Sequence, residues 1–423
     1  MVHEKKLDRE VLLPSLLEDD EEEPGENVQL VEQISSQTEV DVRGPKDQLS
    51  SPDRSAPDGG ENQNEEEGGE REEEESLALD GDGDTDSELG EKDEAYDLTG
   101  KTSYMKACEK LHVVPASRFL ENIQNSELAL MHRGLGPKGT KALAVSLVTN
   151  TSIRRLNLQD NWMEGMGGAA VAKMLKENRH ITEVDLSDNN LGDFGARAIS
   201  AMLKVNTTLV RLHLSGNRLT DQSAECLGPA LVTNSTLQHL DLSHNALGDH
   251  AGRTLGDCLS ENTGLRSLCL VWNCIRGRGA ARLANGLGGN VFLRTVDLSC
   301  NYFGKEGAIA LGQALKENNM LEELNVSNNQ IPPEGAIHLA LGLRVNKTIK
   351  LLNIGRNPIL TTGCFRILQS VQENSDSSME TLDFSGITVN QEFEDLCRAV
   401  KEALPELRVK HGGTMGTLRK VKP

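Results

Sequence analysis

Ile153-Arg154-Arg155-Leu156-Asn157-Leu158-Gln159-Asp160-Asn161-Trp162-Met163 is the stretch that decides the fold, because its pattern returns every 28 residues. Its first position recurs as Ile181, Leu209, Leu237, Leu265, Leu293, Leu321 and Ile349. Its ninth recurs as an unbroken asparagine ladder: Asn161, Asn189, Asn217, Asn245, Asn273, Asn301, Asn329 and Asn357. A second ladder of the same period runs from Asn150 through Asn178 and Asn206 to Asn374. Two interlocked ladders in one register mark a tandem repeat, so the fold follows from what one unit must do.

Within a unit the first, fourth, sixth and eleventh positions are apolar and the ninth is Asn, giving L-x-x-L-x-L-x-x-N-x-L, the leucine-rich-repeat signature. Positions four and six alternate with polar neighbours, which predicts a short strand with one buried face. The chain then turns sharply. An Asn amide carries two donors and an acceptor, so the first ladder is expected to bond the turns above and below it, a structural role. The second half of each unit, as in Gly195 to Asn206, has apolar residues at helical spacing and predicts an outer helix of about ten residues. A small residue, usually Gly as at Gly167, Gly279 and Gly307, stands near each helix start and suits close approach of a neighbour. The second Asn ladder is expected to end each helix in a left-handed conformation. The fold class is therefore α/β: a horseshoe solenoid with a parallel sheet on the concave face and helices on the convex face. Ten strand sites run from Leu128–Leu130 to Leu382–Phe384, with nine helices between them and a two-residue insertion in the last unit.

The organisation around the repeats follows from composition. Residues 1–100 carry 34 Asp and Glu against 8 Lys and Arg, a net of −26, whereas the whole chain is −21, so residues 101–423 are about +5. Such a segment is expected to be a disordered acidic tail. Residues 101–127 read as a helical N-terminal cap, 128–378 as the repeats, 379–411 as a C-terminal cap in which Leu407 to Val409 adds a last strand, and 412–423 as a basic tail with Arg419, Lys420 and Lys422. No stretch resembles a signal peptide or reaches membrane-spanning length. The eight cysteines include no CxxC, as expected of reduced thiols in the cytoplasm or nucleus.

Chemical constellations are sparse. Asp80, Asp82, Asp84 and Glu91 imitate a calcium loop, but Thr85 stands where the turn needs Gly. Leu13-Pro14-Ser15-Leu16-Leu17 fits an LxxLL pattern, with a chance apolar cluster as the default reading. Positions three, five and seven are expected to point outward on the concave face. In the fifth row, His213, Asp241 and Cys269, with His239 beside them, invite a metal or thiol–imidazole reading, yet an open sheet excludes no water and favours a plain solvated face. No cofactor, metal or catalytic residue is expected. One unit departs from the rest: Val271 replaces the usual Ser and is followed by Trp272, Arg276 and Arg278. Trp and Arg dominate interface hot spots, which makes these four the candidate partner-binding patch, with Cys269, Asp241 and Asp297 on the neighbouring strands. Packing of Trp272 along the rim explains the sequence equally well. Without a basic stripe or aromatic platform, nucleic acid is not expected, nor is a membrane.

The units resemble the ribonuclease-inhibitor class of leucine-rich repeats, which includes the repeat arms of NOD-like receptors and the Ran GTPase-activating proteins. His112-Val113-Val114-Pro115, His132-Arg133-Gly134-Leu135-Gly136, Gly342-Leu343-Arg344-Val345-Asn346 and Leu382-Asp383-Phe384-Ser385 resemble the family named leucine-rich repeat-containing protein 74. That resemblance implies the horseshoe and a non-enzymatic protein, and supplies no substrate or site. The residues themselves favour a monomeric intracellular scaffold that binds a protein partner on its concave face or rim. Alternatives are a GTPase-activating regulator presenting Arg133, Arg154, Arg155 and Asn157, or an innate-immune or cytoskeletal regulator.

Overall fold

Each unit delivers one short strand and one helix, as the periodicity demands. The computed structural model describes residues 100–415. The acidic tail up to residue 99, the calcium-like run at Asp80–Glu91, the Leu13–Leu17 motif and the basic residues Arg419, Lys420 and Lys422 lie outside the described residues. The described residues begin with α1 (Lys101–Leu111), α2 (Ser117–Asn122) and β1 (Glu127–Ala129). The repeats follow as α3 (Gly136–Leu147), β2 (Arg155–Asn157), α4 (Glu164–Glu177), β3 (Glu183–Asp185), α5 (Gly192–Leu203), β4 (Arg211–His213), α6 (Asp221–Thr233) and β5 (His239–Asp241). They continue through α7 (Asp249–Glu261), β6 (Ser267–Cys269), α8 (Gly277–Gly289), β7 (Thr295–Asp297), α9 (Gly304–Glu317), β8 (Glu323–Asn325) and α10 (Pro333–Leu343). The end is formed by β9 (Leu351–Asn353), α11 (Leu360–Glu373), β10 (Thr381–Phe384), α12 (Gln391–Ala403) and β11 (Arg408–His411).

All eleven strands join one parallel sheet in chain order. The register steps by one repeat, pairing Leu156 with Val184 and Val184 with Leu212. The two-residue insertion is absorbed outside the sheet, since Leu352 still pairs with Leu382. Strands cover positions three to five, with the fourth buried and its neighbours turned outward; the sixth, such as Leu158, is buried just beyond the strand end. The outer helices run from 11 to 14 residues, longer than the pattern suggests; α4, α6 to α9 and α11 continue to the second Asn ladder, whereas α3, α5 and α10 stop three residues before it at Leu147, Leu203 and Leu343. One unbroken core extends from Tyr104 to Leu407. Each fully buried Leu contributes roughly 1.5–3 kcal/mol, so stability accrues evenly along the stack.

Both Asn ladders hold the units together, in ways that correct two expectations. The Asn189 amide donates to the carbonyls of Leu158 at 2.9 Å, Leu186 at 3.0 Å and Ser187 at 2.9 Å, and its oxygen accepts from Asn161 N at 2.9 Å. It therefore serves its own turn and the preceding one, not the turns above and below. Asn178 is extended, with φ −68 and ψ 127, rather than left-handed. Its amide donates to Leu147 O and Asn150 O, while its oxygen accepts from His180 N and Ile181 N. Leu147 is in the last turn of the preceding helix, where a carbonyl has no intrahelical donor, and the side chain supplies one.

Between α7 and α8 the helices meet backbone to backbone. A Cβ on Gly286 would stand 2.0 Å from Gly256 O, and one on Gly279 would stand 2.1 Å from Asp249 O. At the N-terminal end Tyr104 and Phe119 pack edge to face, and Arg118 Nε donates to Ala129 O at 3.1 Å on the outer side of β1. At the other end Phe393 of α12 packs edge to face on Phe384 of β10, and β11 adds the last strand.

Candidate partner-binding surface

The outward residues of neighbouring strands bond sideways along the fifth-position row. Asn157 Nδ2 reaches Asp185 at 3.1 Å, Asn325 Nδ2 reaches Asp297 at 2.9 Å, and His213 Nδ1 lies 3.7 Å from Asp241. Burial alone would raise the Asp241 carboxyl, but His213 beside it, Ser243, whose backbone N donates to it at 2.9 Å, and Cys269 outweigh burial and bring it down to about 2. The Asp241 carboxylate beside it raises His213 against its desolvation. His239 is lowered by burial and by Arg211. Burial pushes the Cys269 thiol up to about 12, with Asp241 and Asp297 adding to the effect, so it holds its proton near neutrality. A thiol that stays protonated is no nucleophile. Among the described residues no group of three or more His, Cys, Asp and Glu is placed to hold a metal ion.

Position seven differs from expectation. Ser187, Ser243 and Ser299 are buried, each 6% exposed, so the open concave surface is made by positions three and five. Val271 at the seventh position is half-buried. Trp272 beside it is 56% exposed and stacks on His244 of the preceding repeat, with ring centroids 6.1 Å apart. Its backbone is left-handed, φ 53. Every unit makes the same demand at this position: Gly216 meets it at φ 67, Asp188, His244 and Asn328 with side chains that tolerate the region, and Cys300 and Arg356, like Trp272, with side chains that do not; Trp272 is the bulkiest of them. Tyr302 of the next repeat, 49% exposed, lies nearby on the rim, where its backbone bridges to Arg276.

The four residues grouped from sequence do not form one patch. Val271 and Trp272 face the concave and rim side, and Arg276 is the exposed N-cap residue of α8. Arg278 lines a cleft of about 620 Å³ among α7, α8 and α9, with Arg253, Asp257, Ala281, Arg282 and Glu306. There Arg253 pairs with Asp249 and Arg282 with Asp257. Three of the four residues considered for GTPase regulation are engaged internally, since Arg155 pairs with Glu127, Arg154 donates to His180 O and Asn157 bonds Asp185, whereas Arg133 is exposed.

Two features escaped the sequence reading. His244 precedes Trp272 by one repeat length at the same position, so the 28-residue spacing would have revealed the stacked pair. Asp193, Asp221 and Asp249 also recur at that spacing and tie each helix to the next: Asp193 accepts from Thr220 Oγ1 and Ser223 Oγ, Asp221 from Gly248 N and Ala251 N, and Asp249 from Gly279 N.

A family model described as a leucine-rich repeat matches residues 149–172, 177–200, 205–228, 233–256, 289–312 and 317–340. Between the first and last of these it passes over only the unit that carries Trp272. The human protein named leucine-rich repeat-containing protein 74B is 46% identical over 71 residues, 17% of this chain and 18% of that protein. Its mouse namesake is 50% identical over 54 residues, 13% of this chain and 14% of that protein. The matched stretches thus span less than a fifth of either relative and are narrower than the repeat region. A solved structure titled as the tropomodulin C-terminal domain of Caenorhabditis elegans aligns at a TM-score of 0.32 and 15% identity, covering 36% of this chain and 92% of that one. Among the described residues no helix is long and apolar enough to cross a membrane.

Proposed function

We propose, from the premise that this chain belongs to the leucine-rich-repeat proteins, that it is a non-enzymatic scaffold gripping a protein partner at the concave face and rim around Trp272. One observation carries the reading. Trp272 is an exposed aromatic in a left-handed conformation, on the one repeat between residues 149 and 340 that departs from the family pattern. Holding an aromatic there costs on the order of 1–3 kcal/mol, and an indole left mostly in water recovers little of it. A partner that buries the ring recovers it at the interface, where Trp is among the most effective residues. In this reading the protein acts as a monomer in the cytoplasm, consistent with eight free cysteines. The acidity of residues 1–100 favours encounter with basic partners.

The test is proximity labelling in cells with the full chain, comparing wild type with Trp272→Ala and, separately, Arg278→Ala. Circular dichroism verifies that each variant stays folded. Specific partners are expected to vanish with Trp272→Ala and persist with Arg278→Ala, whose side chain lines the helical cleft. An unchanged partner list for Trp272→Ala overturns the reading.

A further inference from the structure

We propose that the strip over β5 to β8 takes an extended cationic segment of the partner, with Lys or Arg at every third residue. This rests on the reading of the Trp272 surface as the partner site. Over these four strands the outward third and fifth positions carry three carboxylates, Asp241, Asp297 and Glu323, and no Lys or Arg. The rest of that strip is His, Ser, Thr, Cys and Asn. Of the two strands beside the strip, β4 carries Arg211, paired with Glu183, and β9 carries Leu351 and Asn353 and no Lys or Arg. Asp297 and Glu323 have no cationic partner among the described residues, and Asp241 has only His213. The carboxylates of Asp241 and Asp297 both act on Cys269 between them, which places them on either side of one small residue.

Spacing then selects the ligand. Neighbouring strands lie about 4.8 Å apart, so Asp241 and Asp297, two strands apart, are separated by roughly 10 Å along the row. A polyproline II segment returns the same face every three residues, an advance of about 9.3 Å. Such a segment crossing the strands sets successive basic side chains against Asp241 and Asp297 and packs its rings on Trp272 and Tyr302. Exposed aromatics beside carboxylates suit both parts of a Lys side chain, the apolar stem and the ammonium.

The experiment uses the full chain carrying Trp162→Phe, which leaves Trp272 as the only tryptophan. Its emission is followed during titration with a synthetic (Lys-Pro-Pro)4 peptide, with (Glu-Pro-Pro)4 as the comparison, at low and high salt. Saturable, salt-sensitive change with the Lys peptide alone is expected, and adding Asp297→Asn and Glu323→Gln should weaken it at least tenfold. The proposal is overturned if the Glu peptide acts as well, or if the Lys peptide leaves Trp272 unmoved. It is equally overturned if the charge variant binds with undiminished affinity, since the peptide then sits elsewhere, for instance on the acidic residues 1–100. If the variant does not fold, the contrast between the two peptides on the parent chain still decides. Failure here with partner capture still dependent on Trp272 removes the charge assignment and leaves the scaffold reading standing.

Discussion

Leu270 and Trp272 stand two residues apart and carry opposite duties. Leu270 is wholly buried, so Leu270→Ala should cost about 2–5 kcal/mol in urea unfolding. Trp272→Asn should cost no more than about 1 kcal/mol and is expected to stabilise, because Asn relieves the strain of the left-handed backbone and the indole buries little. A larger loss would mean that the ring is packing rather than surface. Asn189→Ala leaves the Leu158, Leu186 and Ser187 carbonyls and the Asn161 amide without that partner, at roughly 1–3 kcal/mol for each group that water cannot reach. Unfolding of that variant is expected at markedly lower urea. The Asn ladder was legible in the sequence because a buried amide in a tight turn has few alternatives. The direction of its bonds was not, because a repeat pattern reads the same toward either neighbour and only the side-chain rotamer breaks the tie.

The strands and helices show how charge works between units. Asp241 has its carboxyl lowered to about 2, so its contribution is fully present above the ordinary value of 3.8 and is lost as pH falls toward 2. That amounts to roughly 2 kcal/mol. His213 is raised, so its contribution is present below 6.5 and is lost as pH rises through its elevated value. Urea midpoints measured from pH 2 to pH 8 should show the acid step diminished in Asp241→Asn, and an identical profile would remove the assignment. Helix phase explains what was misread at this scale. Arg278 follows Trp272 by six residues and looked like its neighbour, yet the turn into α8 carries it to the helical side. Asp193, Asp221 and Asp249 went unread, since a single sequence does not tell a residue that caps its own helix from one that caps the next.

As a whole, the repeat unit is a one-dimensional stack whose ends need closing. Truncation after Ser385 removes α12 and β11, strips Phe393 from Phe384 and opens the edge of β10. The shortened protein should aggregate, seen by light scattering, while the full chain stays dispersed; a dispersed, cooperative truncation would show that the C-terminal elements are not a cap. The fold at this scale was legible because period alone decides it, as the family-model matches bear out.

The Arg118 contact with Ala129 O has a consequence for growth of the sheet. An open parallel sheet is a template at both edges, and copies joined end to end along it would lengthen into a fibre without limit. With the Ala129 carbonyl of β1 held by a guanidinium and the strand flanked by α2, a second molecule cannot pair with that edge unless Arg118 lets go. Polymerisation by this route has a terminus built into it, whatever happens at β11.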